Sequence, residues 1–193
     1  MSWSREDDFW VWFETNKEAI SRAVEDEAIR YEIAKRIKAV HPGLMWEKGT
    51  LDDGTEDFVI SADGVRDIFP AVHRLADAAP AIPGWQITRF RPIRKPTALT
   101  RDGFTLRADE VYVGMMASPE EGPYNIALLV PGLTKENYNK LGAVALVLLD
   151  GHFGEEAVVT RLGEIRLHAA PKEPNPHCVP LPRAREPLLG ATD

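Results

Sequence analysis

The chain has 193 residues, a formal net charge of −7, and 44% hydrophobic against 27% charged residues. That composition excludes a disordered chain, a collagen and a disulfide scaffold, and at this length folding buries roughly 70% of the unfolded surface, enough for a core without covalent staples. The acidic balance opposes nucleic acid and anionic membranes, because its long-range field repels phosphate, and the single cysteine, Cys178, cannot form an internal disulfide.

Near the start, Ser4 is a candidate helix cap, followed by Glu6, Asp7 and Asp8 at the positive end of the helix dipole. Phe9, Trp12, Phe13, Ile20, Ala23, Val24 and Tyr31 form one helical stripe, and Ile29, Ile33, Ile37 and Val40 form a second, rotated one. Two stripes predict a kink near residues 25–28 or a helix buried on two sides, ended by Pro42-Gly43. Residues 44–48 and 57–61 read as strands around a turn at 51–55. Val65, Ile68, Phe69, Val72, Leu75, Ala76 and Ala79 recur at helical spacing, with Pro70 placing the regular start near Phe69. Residues 85–91 read as a strand, 92–103 as a loop, and 104–107, 111–117 and 124–130 as three strands, the last preceded by a turn at 118–123. Thr134 is the expected cap of a third helix running to about Leu149, apolar on more than one face. Residues 157–160 and 164–168 read as extended.

Hairpins dominate this order, so the expected fold is α+β: a mainly antiparallel sheet with helices packed on one face. Residues 44–91 and 111–168 share the pattern hairpin, helix, strand, without a residue-level repeat. The predicted organisation is a single domain over residues 1–169 and a proline-rich C-terminal tail over 170–193, where six of the 15 prolines lie. Such density disfavours helix and sheet alike, which makes the tail dispensable for folding.

Nucleotide-binding, phosphate-loop, zinc and nucleophile-elbow motifs do not occur. No two of His41, His73, His152, His168 and His177 lie at i+3 or i+4, so each reads as a boundary or loop residue, and no metal or cofactor is expected. Asp52, Asp53, Glu56 and Asp57 read as a polar turn, because the distal glutamate of a calcium loop is missing. The unusual segment is basic. Residues 88–107 hold six basic side chains (Arg89, Arg91, Arg94, Lys95, Arg101 and Arg107) against one acid, Asp102, a local +5 that leaves −12 elsewhere. Strand alternation predicts that Trp85, Ile87, Arg89 and Arg91 share a face. Trp85, Arg89 and Arg91 are therefore the candidate ligand site, an apolar wall beside guanidinium forks suited to a carboxylate or phosphate. Glu110, Tyr112 and His168 are its candidate companions. The competing reading pairs these arginines with carboxylates of the acidic helices.

Phe58-Val59-Ile60-Ser61-Ala62-Asp63-Gly64, Phe69-Pro70-Ala71-Val72, Ala78-Ala79-Pro80, Pro83-Gly84-Trp85, Phe90-Arg91-Pro92 and Leu148-Leu149-Asp150 with Gly154 form a pattern over roughly residues 9–168. It resembles a bacterial family of small uncharacterised proteins with no assigned activity. The resemblance implies a bacterial setting and no catalytic residue. With no basic-then-apolar leader and no apolar run near the ~20 residues of a membrane span, the expectation is a cytoplasmic protein. Two functions stand open: a non-enzymatic binding or regulatory protein, of accessory or immunity type, that meets another protein; or a small enzyme or binder of small anions with a cleft near Trp85, Arg89 and Arg91.

Overall fold

The computed structural model describes residues 3–117, 123–173 and 176–190. The chain divides into two units, Met1–Arg91 and Pro92–Asp193. The division falls at Arg91–Pro92 rather than at the composition change near residue 170. The expected turn at 118–123 lies largely outside the described residues, and no helix among those described is long and apolar enough to cross a membrane.

In the first unit, Ser4 caps α1 (Arg5–Ile20): its hydroxyl accepts from the Asp7 amide, and the Asp7 carboxylate accepts from the Ser4 amide. The two apolar stripes belong to two helices. Asp26 starts α2 (Glu27–Val40) by accepting from the Ala28 and Ile29 amides, so the chain breaks where the stripe rotates. β1 (Met45–Thr50) pairs antiparallel with β2 (Glu56–Ser61), and β2 pairs parallel with β3 (Trp85–Arg89) across α3 (Phe69–Asp77). β2 is the central strand and is buried on both faces from Asp57 to Ser61. Phe9, Trp10 and Phe13 of α1 close over it. Phe13 meets Phe58 edge-on at 4.9 Å, and Trp46 stacks on Phe58 at 5.9 Å. The Trp10 indole donates to the Leu75 carbonyl at 2.7 Å, which ties α1 to α3.

The second unit begins with a hairpin, β4 (Ala98–Arg101) and β5 (Phe104–Arg107), turned by Asp102 and Gly103, both at positive φ. β4 occupies part of the expected loop at 92–103; its Asp-Gly turn accounts for the pairing. A larger sheet follows in the order β8-β7-β6-β9, built from β6 (Tyr112–Met115), β7 (Tyr124–Val130), β8 (Leu162–Ala169) and β9 (Cys178–Pro180). β7 pairs antiparallel with β6 and parallel with β8, so β6-β7-helix-β8 repeats the ββαβ order of the first unit. The architecture is α+β with mostly antiparallel pairing, and its two parallel pairs both span a helix.

Three further expectations change. The third helix, α4, runs over Tyr138–Phe153 with Asn137 as its N-cap, and Thr134 lies before it, its amide bonded to Asn137 Oδ1. Residues expected to be extended at 157–160 form α5 (Glu155–Arg161). The segment read as a tail carries β9 and α6 (Leu181–Leu189). Pro182 sits in the first helical turn, where a missing N–H costs nothing, and Leu181, Ala184 and Leu188 bury one stripe in the core with Val111, Val113, Leu148 and Leu149.

Candidate functional site

The three residues read from the sequence each have a partner of their own. Trp85 meets Phe13 edge-on at 5.0 Å. Arg89 ion-pairs with Asp77. Arg91 donates to Glu47 at 2.5 Å and to Asp63 at 2.9 Å, with only about a tenth of its side chain exposed. The expected alternation stops at Phe90, whose φ of 60° is left-handed, so Arg91 leaves the strand. That conformation is costly for a phenylalanine, and packing holds it: Phe90 is buried against Phe69 at 4.2 Å and His73 at 5.3 Å. Of the candidate companions, Tyr112 and His168 lie in one row of the second unit's sheet, both paired with Leu129, and Glu110 lies beside Arg107.

The basic segment reaches a cleft through Lys95 instead. In the second unit, Ile93, Lys95, His152, Pro182, Arg183, Arg185, Glu186 and Gly190 line a cavity of about 420 Å³. A smaller one of about 210 Å³ shares Lys95, His152 and Pro182 and adds Arg107 and Asp109. Three local devices build this wall. The Gly151 carbonyl accepts from both the Arg94 and Lys95 amides at 2.9 Å. Lys95 adopts φ of 47°, which helps two successive amides converge on one oxygen. Pro96 packs on Gly151, where a Cβ would stand 2.9 Å from the proline ring, so only glycine fits this approach.

His152 completes the attachment. It is buried, and its Nε2 lies 3.0 Å from the Pro96 carbonyl. A carbonyl only accepts, so Nε2 carries the proton and Nδ1 keeps its lone pair. Burial holds His152 below the ordinary histidine value, with the Lys95 charge adding to the shift and the Pro96 hydrogen bond opposing it. The floor of the cleft is therefore a neutral imidazole.

The cations around it differ in what holds them. Arg107 is paired with Asp109 at 3.0 Å, and each raises or lowers the other's pKa in favour of the charged pair. Arg185 donates to the Phe153 and Gly190 carbonyls at 3.4 and 3.1 Å, which fixes its side chain without neutralising it. Lys95 and Arg183, both exposed, have no ion pair among the described residues. Among the described residues, Glu186 is the only carboxylate lining the larger cavity. Three cations against one carboxylate favour an incoming anion, and a guanidinium fork can give it two parallel hydrogen bonds.

His152, Arg183 and Arg185 were outside the sequence-derived site. Their signal was available in part: Leu181, Ala184 and Leu188 at helical spacing, with Pro182 in the first turn and Gly190 after the last, place Arg183 and Arg185 on a helix. No family model, curated protein or solved structure matches the chain.

Proposed function

We propose that this protein is a binding or regulatory module of the cytoplasm that recognises an anionic group, a carboxylate or a phosphate, in the cleft of its second unit. One observation carries the reading: Lys95 and Arg183 stand unpaired on the wall of a cavity large enough for a small ligand, in a chain whose net charge is −7. Arg185 positions the same group, and His152 with Gly151 holds the loop that presents Lys95. The single thiol suits a reducing compartment. Arg89 and Arg91, already bonded to carboxylates, take a structural part in this reading.

Calorimetric titration of the full chain at low salt tests it, with inorganic phosphate and a short polyglutamate peptide as separate probes. The expected result is saturable heat with at least one probe. That heat should disappear in the double variant Lys95→Met, Arg183→Met, while the melting temperature stays within about 2 °C, as for exposed surface positions. Response to phosphate alone identifies a small-ligand site, and response to the peptide alone an acidic protein segment. No heat with either probe overturns the proposal. So does binding that survives the double variant, and if Arg89→Met removes it instead, the site lies on β3.

A further inference from the structure

The first unit carries a cavity of the opposite character. Trp3, Asp7, Trp10, Val11 and Glu14 form one stripe along the start of α1, and with Ala78 and Pro80 they line about 430 Å³. The floor is apolar, and the Trp10 indole nitrogen is already used on the Leu75 carbonyl, so the ring presents carbon to the cavity. Trp3 and Val11 are large apolar residues left 64% and 50% exposed, although the core of this unit is closed without them. Two carboxylates frame this apolar surface, and among the described residues no cation lines it. Neither Glu14 nor Asp7 has an ion pair among the described residues, and the Asp7 carboxylate accepts from the Ser4 amide at 3.0 Å. Hydrogen bonding from the Ser4 backbone, and then from its side chain, holds Asp7 below the usual carboxylate range, so it stays charged at neutral pH. The nearest paired acid on the same helix, Glu6, already belongs to Arg74.

An exposed indole beside two unneutralised carboxylates favours a particular kind of guest. A guanidinium or ammonium gains from the ring face and from the carboxylates, while the alkyl stem behind it gains from an apolar floor. An anion is repelled by Asp7 and Glu14, and a purely apolar guest leaves both charges at its edge unanswered. We propose that this groove is a docking site for a segment of a partner protein that presents an arginine or lysine beside an apolar residue. Charge complementarity selects the basic residue. The volume of the cavity, about 430 Å³ and comparable to a small-molecule pocket, selects a side chain or two rather than a whole helix. This inference stands apart from the anion cleft, since it uses none of the same residues.

Fluorescence anisotropy with a dye-labelled peptide of alternating arginine and leucine tests it on the full chain, with an alternating glutamate and leucine peptide as the charge-reversed probe. The basic peptide is expected to bind and the acidic one not. Trp3→Ala leaves the net charge and the folded core unchanged, and should weaken binding about tenfold through loss of the cation–aromatic contact. Glu14→Gln should weaken it by a similar factor. Asp53→Asn removes an acid from the turn between β1 and β2 and should leave it unchanged, which separates docking from general attraction to an acidic chain. Equal loss in Asp53→Asn and Glu14→Gln overturns the proposal, as does full affinity in Trp3→Ala or equal binding of both peptides. Sedimentation of the unmodified protein supplies the remaining outcome: a dimer dissolved by Trp3→Ala assigns the groove to a second copy of the chain and overturns the partner reading.

Discussion

Replacing Leu181 by alanine measures whether the C-terminal segment is part of the fold. Leu181 is fully buried, its amide donates to the Val111 carbonyl at 2.8 Å, and its side chain belongs to the core with Ala184 and Leu188. Truncation to alanine removes about 0.8 kcal/mol of burial per methylene-sized group, and the unfilled space adds to it, so buried leucine-to-alanine changes cost about 2–5 kcal/mol. We take about 3 kcal/mol, because Leu181 opens a short helix whose first turn can shift inward by a fraction of an ångström. In a unit of about 100 residues each kcal/mol moves the midpoint by about 4–8 °C, which gives a fall of roughly 12–24 °C. Differential scanning calorimetry on the full chain reads this.

All five tryptophans, Trp3, Trp10, Trp12, Trp46 and Trp85, lie in the first unit. Indole fluorescence is therefore blind to the altered unit, and the second probe must be hydrogen exchange on peptides from β6, β7 and α4. Those amides should exchange faster in the variant. Leu189→Ala, at a partly buried position on the same helix, should cost less and serves as the internal comparison. A midpoint within about 3 °C of the unmodified protein, with unchanged exchange in β6 and α4, would refute the packing argument and restore the dispensable tail that the proline content suggests.

Two other substitutions probe how the cleft is built. Gly151→Ala places a methyl 2.9 Å from the Pro96 ring, so the loop must move, and amide exchange at Arg94 and Lys95 should accelerate while phosphate binding weakens; unchanged exchange would show that the close approach is not needed. His152 has its pKa lowered in the fold from the ordinary 6.5, so the unfolded chain binds the proton more readily and stability rises with pH across the window. Its contribution should be complete above pH about 6.5 and disappear as pH falls through the depressed folded value, making the unmodified protein lose more stability than His152→Gln on acidification; parallel curves would refute the assignment.

Local grammar made much of the fold readable. Ser4, the short run at 57–61 beside its Asp-Asp-Gly turn and the clean helical spacing from Phe69 to Leu75 each act within a few residues, and each element stands where those signals put it. The pairing direction of β3 and β8 was harder. Hairpins suggested mainly antiparallel neighbours without saying which pairs depart from that, yet a helix between two strands returns the chain to its starting end, and the strand that follows then runs parallel to the one before. The pattern of hairpin, helix and strand contained that information twice, and residue-level dissimilarity hid it. Proline misled at the C-terminus because its effect depends on position. Pro182 falls in a first turn, where its missing donor is free of cost, and a count of prolines cannot see that.

The candidate site shows the same division between local and long-range information. A local charge count found the basic segment, but the count treats Arg89, Arg91 and Lys95 alike. Their fates are decided by residues distant in sequence: Asp77 lies 12 positions from Arg89 and Glu47 lies 44 positions from Arg91. Strand alternation aligned Arg91 with Arg89 only on the assumption of an unbroken strand, and the left-handed Phe90 ends it. Lys95 keeps its charge available because the two amides gripped by Gly151 and the contact of Pro96 with that glycine turn it toward α6, where Arg183 and Arg185 supply more cations rather than carboxylates. A cation becomes a recognition group when the fold holds it near its own kind and denies it an acid, and no spacing rule within one segment expresses that condition.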